Sequence, residues 1–224
     1  MTLKKIDSNL IKSDSGNLPQ NLIAIAVLIN EKLEGQHSGL IIGVEGVYYL
    51  FHYTGESIEL ENPVPTGQWY FHKSLDIIPQ EESETFLWHC QKIKSDNRDL
   101  KYGFMFDGSY YHEGKYFTES NLPEFSTCVG FCINVISGYL YDQKYIEVSD
   151  WENEPIQGGF QRFFDEALIQ VPNLDQELYK THHKRITPAE CTASAYIDEI
   201  PVRKNAIDAI IENVKISIQN KRSI

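Results

Sequence analysis

This chain has no run of lysines and arginines: 20 basic residues stand against 32 acidic ones in 224, for a formal net charge of −12. Tracking phosphates or an anionic bilayer needs a concentrated positive surface, so neither nucleic acid nor membrane is expected as a partner. Cysteine is scarce too, at 4. Cys90, Cys128, Cys132 and Cys191 make no disulfide framework at this length, and Cys128 and Cys132 share a helix face, a poor geometry for bridging each other. A single C-x3-C without a second pair is weak as a metal site, and no HxxxH or carboxylate cluster offers another, so no metal or cofactor is expected. Reduced thiols fit a cytoplasmic setting. Long apolar runs are missing as well. Leu22–Ile29 falls far short of the roughly 20 residues that span a bilayer, and its position after a polar lead does not suit a signal peptide.

Hydrophobic residues make up 42% of the chain and aromatics 12%, an ordinary globular composition. Residues 1–20 are polar, without periodicity, and are expected to form a flexible N-terminal arm. Residues 21–200 read as one domain, and 201–224 as an amphipathic helix docked on it. Leu22–Ile29 has the pattern of a strand covered on both faces. Gln36–Val44 and Val47–Tyr53, separated by Glu45-Gly46, read as a hairpin. A short aromatic strand is expected at Gln68–His72 and a helix at Glu81–Lys94. Further strands are expected at Lys101–Phe106, Tyr110–Thr118 (folded about Glu113-Gly114) and Lys144–Val148, and a helix at Gly159–Leu168. Residues 170–184 give no clear pattern. Thr187-Pro188-Ala189-Glu190 is a capping box with proline at the first helical position. In the tail, Ile207, Ile210, Ile211, Val214 and Ile218 form one stripe.

The stretch from Phe125 to Ile136 organises the chemistry. Ser126 or Thr127 can cap a helix whose apolar face carries Val129, Cys132, Val135 and Ile136, with Gly138 as its stop. Cys128 then lies in the first turn, where backbone N–H groups favour an anion and lower a thiol pKa. Such a thiol needs a base. If Glu45-Gly46 is a two-residue loop, Val44 pairs with Val47 and His52 lies opposite Gly39. His37 shares that face, a diagonal cross-strand neighbour of His52 at about 7–8 Å between Cα atoms. His182-His183 are a rival base in a polar stretch. Tyr102, Tyr110 and Tyr111 are alternative supports for an oxyanion. Set against this, a cysteine in an apolar helix is more often core than catalytic. Cys90, Cys132 and Cys191 read as packed thiols, and His72, His89 and His112 as structural.

His37-Ser38-Gly39-Leu40-Ile41-Ile42-Gly43, then Leu50-Phe51-His52, then Thr127-Cys128-Val129-Gly130-Phe131, resembles the circularly permuted papain-like thiol enzymes. That group includes the lecithin:retinol acyltransferase-like proteins and permuted relatives of the NlpC peptidases. The resemblance spans roughly residues 21–195 and rests on order and spacing. It implies an α+β fold, with an antiparallel sheet packed against a helix opened by the nucleophilic cysteine. It also implies Cys128 as nucleophile, His37 as base and His52 as the orienting third residue. The expected activity is that of a cysteine hydrolase, peptidase- or amidase-like, acting on a peptide or amide-bearing substrate through a thioester. Val129-Gly130-Phe131 departs from the acidic-His-Phe run of the acyltransferase branch, which makes lipid chemistry the alternative. A catalytically silent papain-like binding module is another.

Overall fold

The computed structural model describes residues 1–13, 16, 18–30, 35–65, 70–96, 98–141 and 143–222. The chain opens with a helix, α1 (Leu3–Asn9), and a two-residue strand, β1 (Ile11–Lys12). Strands β2 (Leu22–Ile29), β3 (Gly35–Val44), β4 (Val47–Tyr53), β5 (Ile58–Glu61) and β6 (Tyr70–Ser74) follow. They form one six-stranded antiparallel sheet in the order β1-β6-β2-β3-β4-β5. After it come α2 (Ser83–Ser95), β7 (Lys101–Tyr102) and the hairpin β8 (Tyr110–His112) and β9 (Lys115–Phe117). Next are β10 (Phe125–Ser126), parallel to β7, and α3 (Cys128–Tyr139). The chain ends with α4 (Gly159–Gln170), α5 (Gln176–His182), α6 (Pro188–Ser194), α7 (Lys204–Asp208) and α8 (Ile211–Arg222). The molecule is α+β, with eight α-helices among the described residues.

The apolar run of β2 is explained by its place in the middle of the sheet. Ile23, Ile25 and Val27 face the large core together with Leu40, Ile42, Phe51 and the helices. Leu22, Ala24 and Ala26 pack on the opposite face with Ile41, Leu50 and Tyr70. Helices α2, α3 and α6 cover the first face. Phe131 locks α3 onto β4, its ring 5.2 Å from Phe51 and 6.1 Å from Tyr53. Burying one such side chain is worth about 1.5–3 kcal/mol.

The hairpin has the register expected from a two-residue loop. Val44 pairs with Val47, and Glu45 and Gly46 both have positive φ, as a type I′ turn requires. Elsewhere packing overrode local pattern. Residues 1–20, expected as a loose arm, contain α1 with Ile6 buried, and β1 paired to β6. Tyr196 Oη donates to the Ile6 carbonyl, and Ser217 Oγ to Asp7 Oδ1, fixing α1 against the turn after α6 and against α8. Gly138 is no helix stop, since α3 runs on to Tyr139. A Cβ there would meet the Tyr111 carbonyl oxygen at 1.7 Å, so glycine is present for the close approach of β8. Lys144–Val148 forms no strand, only a bridge between Ile146 and Val202 followed by a 3-10 turn. The expected strand at Lys101–Phe106 keeps only Lys101–Tyr102, while the start of Gln68–His72 lies outside the described residues. The tail helix breaks into α7 and α8, with Ile207, Ile210, Val214 and Ile218 buried as its stripe implied.

Candidate active site

Cys128 is the first residue of α3. Thr127, not Ser126, is the cap: its Oγ1 accepts from the Gly130 N–H at 3.1 Å. The Cys128 sulfur is half-buried, whereas Cys90, Cys132 and Cys191 are fully enclosed. The backbone N–H groups of Ser38, Val129 and Cys128 itself lie near that sulfur. They pull the thiol pKa down, as the helix start predicts, but burial outweighs them and the net shift is upward. Cys128 therefore rests as a thiol and not as a thiolate. Ser38 is the residue of interest: it sits on β3 directly after His37, so α3 packs beside the strand that carries the expected base.

His37 Nε2 and His52 Nδ1 are 2.7 Å apart, with the rings edge-to-face at 5.0 Å. The register explains the meeting. A Cβ on Gly39 would lie 3.2 Å from His52 Cβ and 2.9 Å from Leu50 Cδ1, so the small residue at 39 makes room beside the pair. Beyond His52 the arrangement continues to a residue that no sequence motif marks. Glu61 Oε1 lies 3.8 Å from His52 Nε2, and Glu59 pairs with His52 across β4 and β5. The only hint in the sequence was the alternation Ile58-Glu59-Leu60-Glu61, which says strand but not which acid faces the histidine.

At 3.8 Å Glu61 makes no hydrogen bond to His52 Nε2, which has no partner among the described residues, so its influence on the pair is through charge. One of the two facing nitrogens carries the proton of the 2.7 Å hydrogen bond and the other accepts it. Burial, and after it the neighbouring His52, lower the His37 pKa from 6.5 to about 4. The His52 pKa is lowered by burial against the opposing pull of Glu61 and Glu59. Both rings are neutral near pH 7, the state a general base requires.

Among the described residues no hydrogen bond or charge interaction joins the thiol to the histidine pair, and neither histidine lines the cleft that Cys128 opens into. Side-chain alternation gives the reason. His37 and His52 share the sheet face of Ile41 and Leu50, while α3 packs on the face of Leu40 and Phe51. Burial, and only after it the neighbouring thiol among other groups, raises the phenol pKa of Tyr70 and of Tyr102. The sheet thus separates the two groups, and they are not positioned for direct proton transfer in this conformation.

Cys128 opens into a cleft of about 620 Å³ shared with Gln36, Tyr102, Phe104, Phe160 and Phe163. Among the three tyrosines considered as oxyanion supports, the structure brings only Tyr102 to this cleft. Tyr110 lies in a separate hollow with His112 and Tyr141, and Tyr111 is buried with its hydroxyl donating to Glu124. The rival base is otherwise engaged. His183 is buried, its Nδ1 2.8 Å from the Glu154 carbonyl and its ring packed against Phe104 and Phe160. His89 holds the Val135 carbonyl on α3, and His72 Nδ1 lies 3.3 Å from Ser13 Oγ. No group of three or more metal-ligating side chains occurs among the described residues. No described helix is long and apolar enough to cross a membrane. Comparison with family models, with curated proteins and with solved structures finds no match for this chain.

Proposed function

We propose that the protein is a cysteine hydrolase of the permuted papain-like kind, acting on amide bonds through Cys128, His37 and His52. One observation carries the reading. The half-buried thiol at the start of α3 opens into a cleft lined by Gln36 of β3, the residue before a histidine that lies 2.7 Å from a second histidine. In the first step, which requires a rearrangement of β3 that brings His37 to the sulfur, the Cys128 proton passes to His37 as sulfur attacks the carbonyl carbon, forming the S–C bond. The charge arriving on His37 is stabilised through His52 and Glu61. The oxyanion is held by the backbone N–H groups at the start of α3, with the Tyr102 phenol across the cleft as a further donor. Collapse breaks the C–N bond, and the amine leaves with the proton from His37. Water, deprotonated by His37, then cleaves the thioester to release the acid and restore the thiol.

The test is labelling with an acyloxymethyl ketone, a thiol-directed probe, followed by peptide mass mapping. The adduct is expected on Cys128, absent in Cys128→Ala and slowed at least tenfold in His37→Ala. Unchanged labelling in His37→Ala, with loss in His183→Ala, overturns the assignment of the base. Preferential labelling of another cysteine overturns the site.

A further inference from the structure

The walls of the Cys128 cleft are chemically unlike one another, and the difference bears on what enters. On one side four aromatic rings form a continuous surface. Tyr102 lies 5.8 Å from Phe104 and 5.1 Å from Phe163, and Phe104 lies 5.0 Å from Phe160 and 5.4 Å from Phe163. All four are only half-buried, although rings in such a cluster gain by complete enclosure. They come from β7 with the segment after it, and from α4, so two elements converge to leave the recess open. Next to this surface stand Glu154, whose carbonyl lies 2.8 Å from Nδ1 of the His183 ring packed on Phe104 and Phe160, and Arg185, neither with an ion-pair partner among the described residues. Both also line the groove that continues from the cleft toward Trp151 and Lys204.

Resting on the hydrolase reading, we infer that the acyl donor is a polypeptide whose large aromatic side chain occupies the recess formed by Tyr102, Phe104, Phe160 and Phe163. A peptide backbone carries both N–H and C=O groups, and the adjoining wall supplies an acceptor in Glu154 and donors in Arg185. A fatty acyl chain uses neither and would leave that wall unmatched. The acyl half must stay bound while the thioester exists, which suits the recess beside sulfur. The departing amine leaves along the open groove past Arg185. A buried ring gains far more than a methyl group in such a recess, so selectivity of at least about tenfold is expected.

Three donors with one leaving group test this: aminomethylcoumarin amides of N-acetyl-Ala-Phe, N-acetyl-Ala-Ala and palmitic acid. The phenylalanyl donor is expected to exceed the alanyl one at least tenfold in kcat/KM, with the palmitoyl donor slowest. In Phe163→Ala that ratio should fall to within about threefold, and a ratio taken within one variant is insensitive to the fraction folded. Arg185→Ala should raise KM for both peptides several-fold and leave their ratio unchanged. Equal turnover of the two peptides, a ratio untouched by Phe163→Ala, or preference for the palmitoyl donor overturns the inference while leaving Cys128 as nucleophile. Turnover that persists in Cys128→Ala, or no turnover and no acylation of Cys128 by any donor, overturns the hydrolase reading and this inference with it.

Discussion

At the scale of single residues, the state of protons decides the chemistry. Cys128 rests protonated because burial outweighs the nearby N–H groups, and His37 rests neutral with a pKa near 4 for the same reason. On the proposed reading His37 is therefore competent as a base above about pH 4 and lost below it. The acid limb of kcat/KM is expected near pH 4–5 and not near 6.5, a profile read directly by initial rates over pH 3.5–8. His37→Ala should remove that limb and lower kcat/KM by about 10²–10⁴-fold. On the proposed reading Glu61 acts one step further away, through its charge on His52. Glu61→Gln keeps the size but removes that charge. A loss of roughly tenfold in kcat is expected with KM little changed, and His52→Gln should retain more activity than His52→Ala. If Glu61→Gln moves KM alone, the carboxylate serves binding and not the relay.

At the scale of elements, the site depends on where α3 begins. The Thr127 hydroxyl cap fixes the first turn and places N–H groups near sulfur. Thr127→Ala should cost about 1 kcal/mol in a urea titration, and should also slow thiol labelling by loosening that turn. Thr127→Ser should restore both. The hairpin and the capping box at Thr187 were legible in the sequence because each is fixed by a few adjacent residues with special backbone or side-chain chemistry. The meeting of His37 with His52 followed from the hairpin register alone. Glu61 was not legible, because it arrives through a second turn whose geometry no local motif marks. Helix α1 was missed since its only buried residue is Ile6, and its stability comes from the turn after α6 and from α8, far along the chain. Gly138 was misread because the partner that demands it, the Tyr111 carbonyl, comes from another element.

At the scale of the whole molecule, the buried histidines make stability a function of pH. His72 and His89 are lowered from 6.5 to about 4, mainly by burial. Each stays neutral in the fold, while in the unfolded chain it takes up a proton below 6.5. Their contribution is fully present above about pH 6.5 and is lost as pH falls toward 4, by up to roughly 3 kcal/mol for each. Urea midpoints should therefore drop steeply between pH 6.5 and 4, and His89→Gln should flatten the curve while keeping a side chain that can hydrogen-bond the Val135 carbonyl. The isoleucine stripe of the tail is spent on the protein's own core. Sedimentation with phosphatidylserine vesicles at physiological salt should accordingly leave the protein in the supernatant. The packing of α1 against α8 has a consequence in time. Synthesis proceeds at roughly 5–20 residues per second, so α1 waits on the order of ten seconds or more for its partner to emerge. The histidine hairpin and the thiol leave the ribosome before α4 and α6, which finish the cleft. A nascent chain thus carries its reactive groups before it has a pocket to select for them, and selectivity is acquired last.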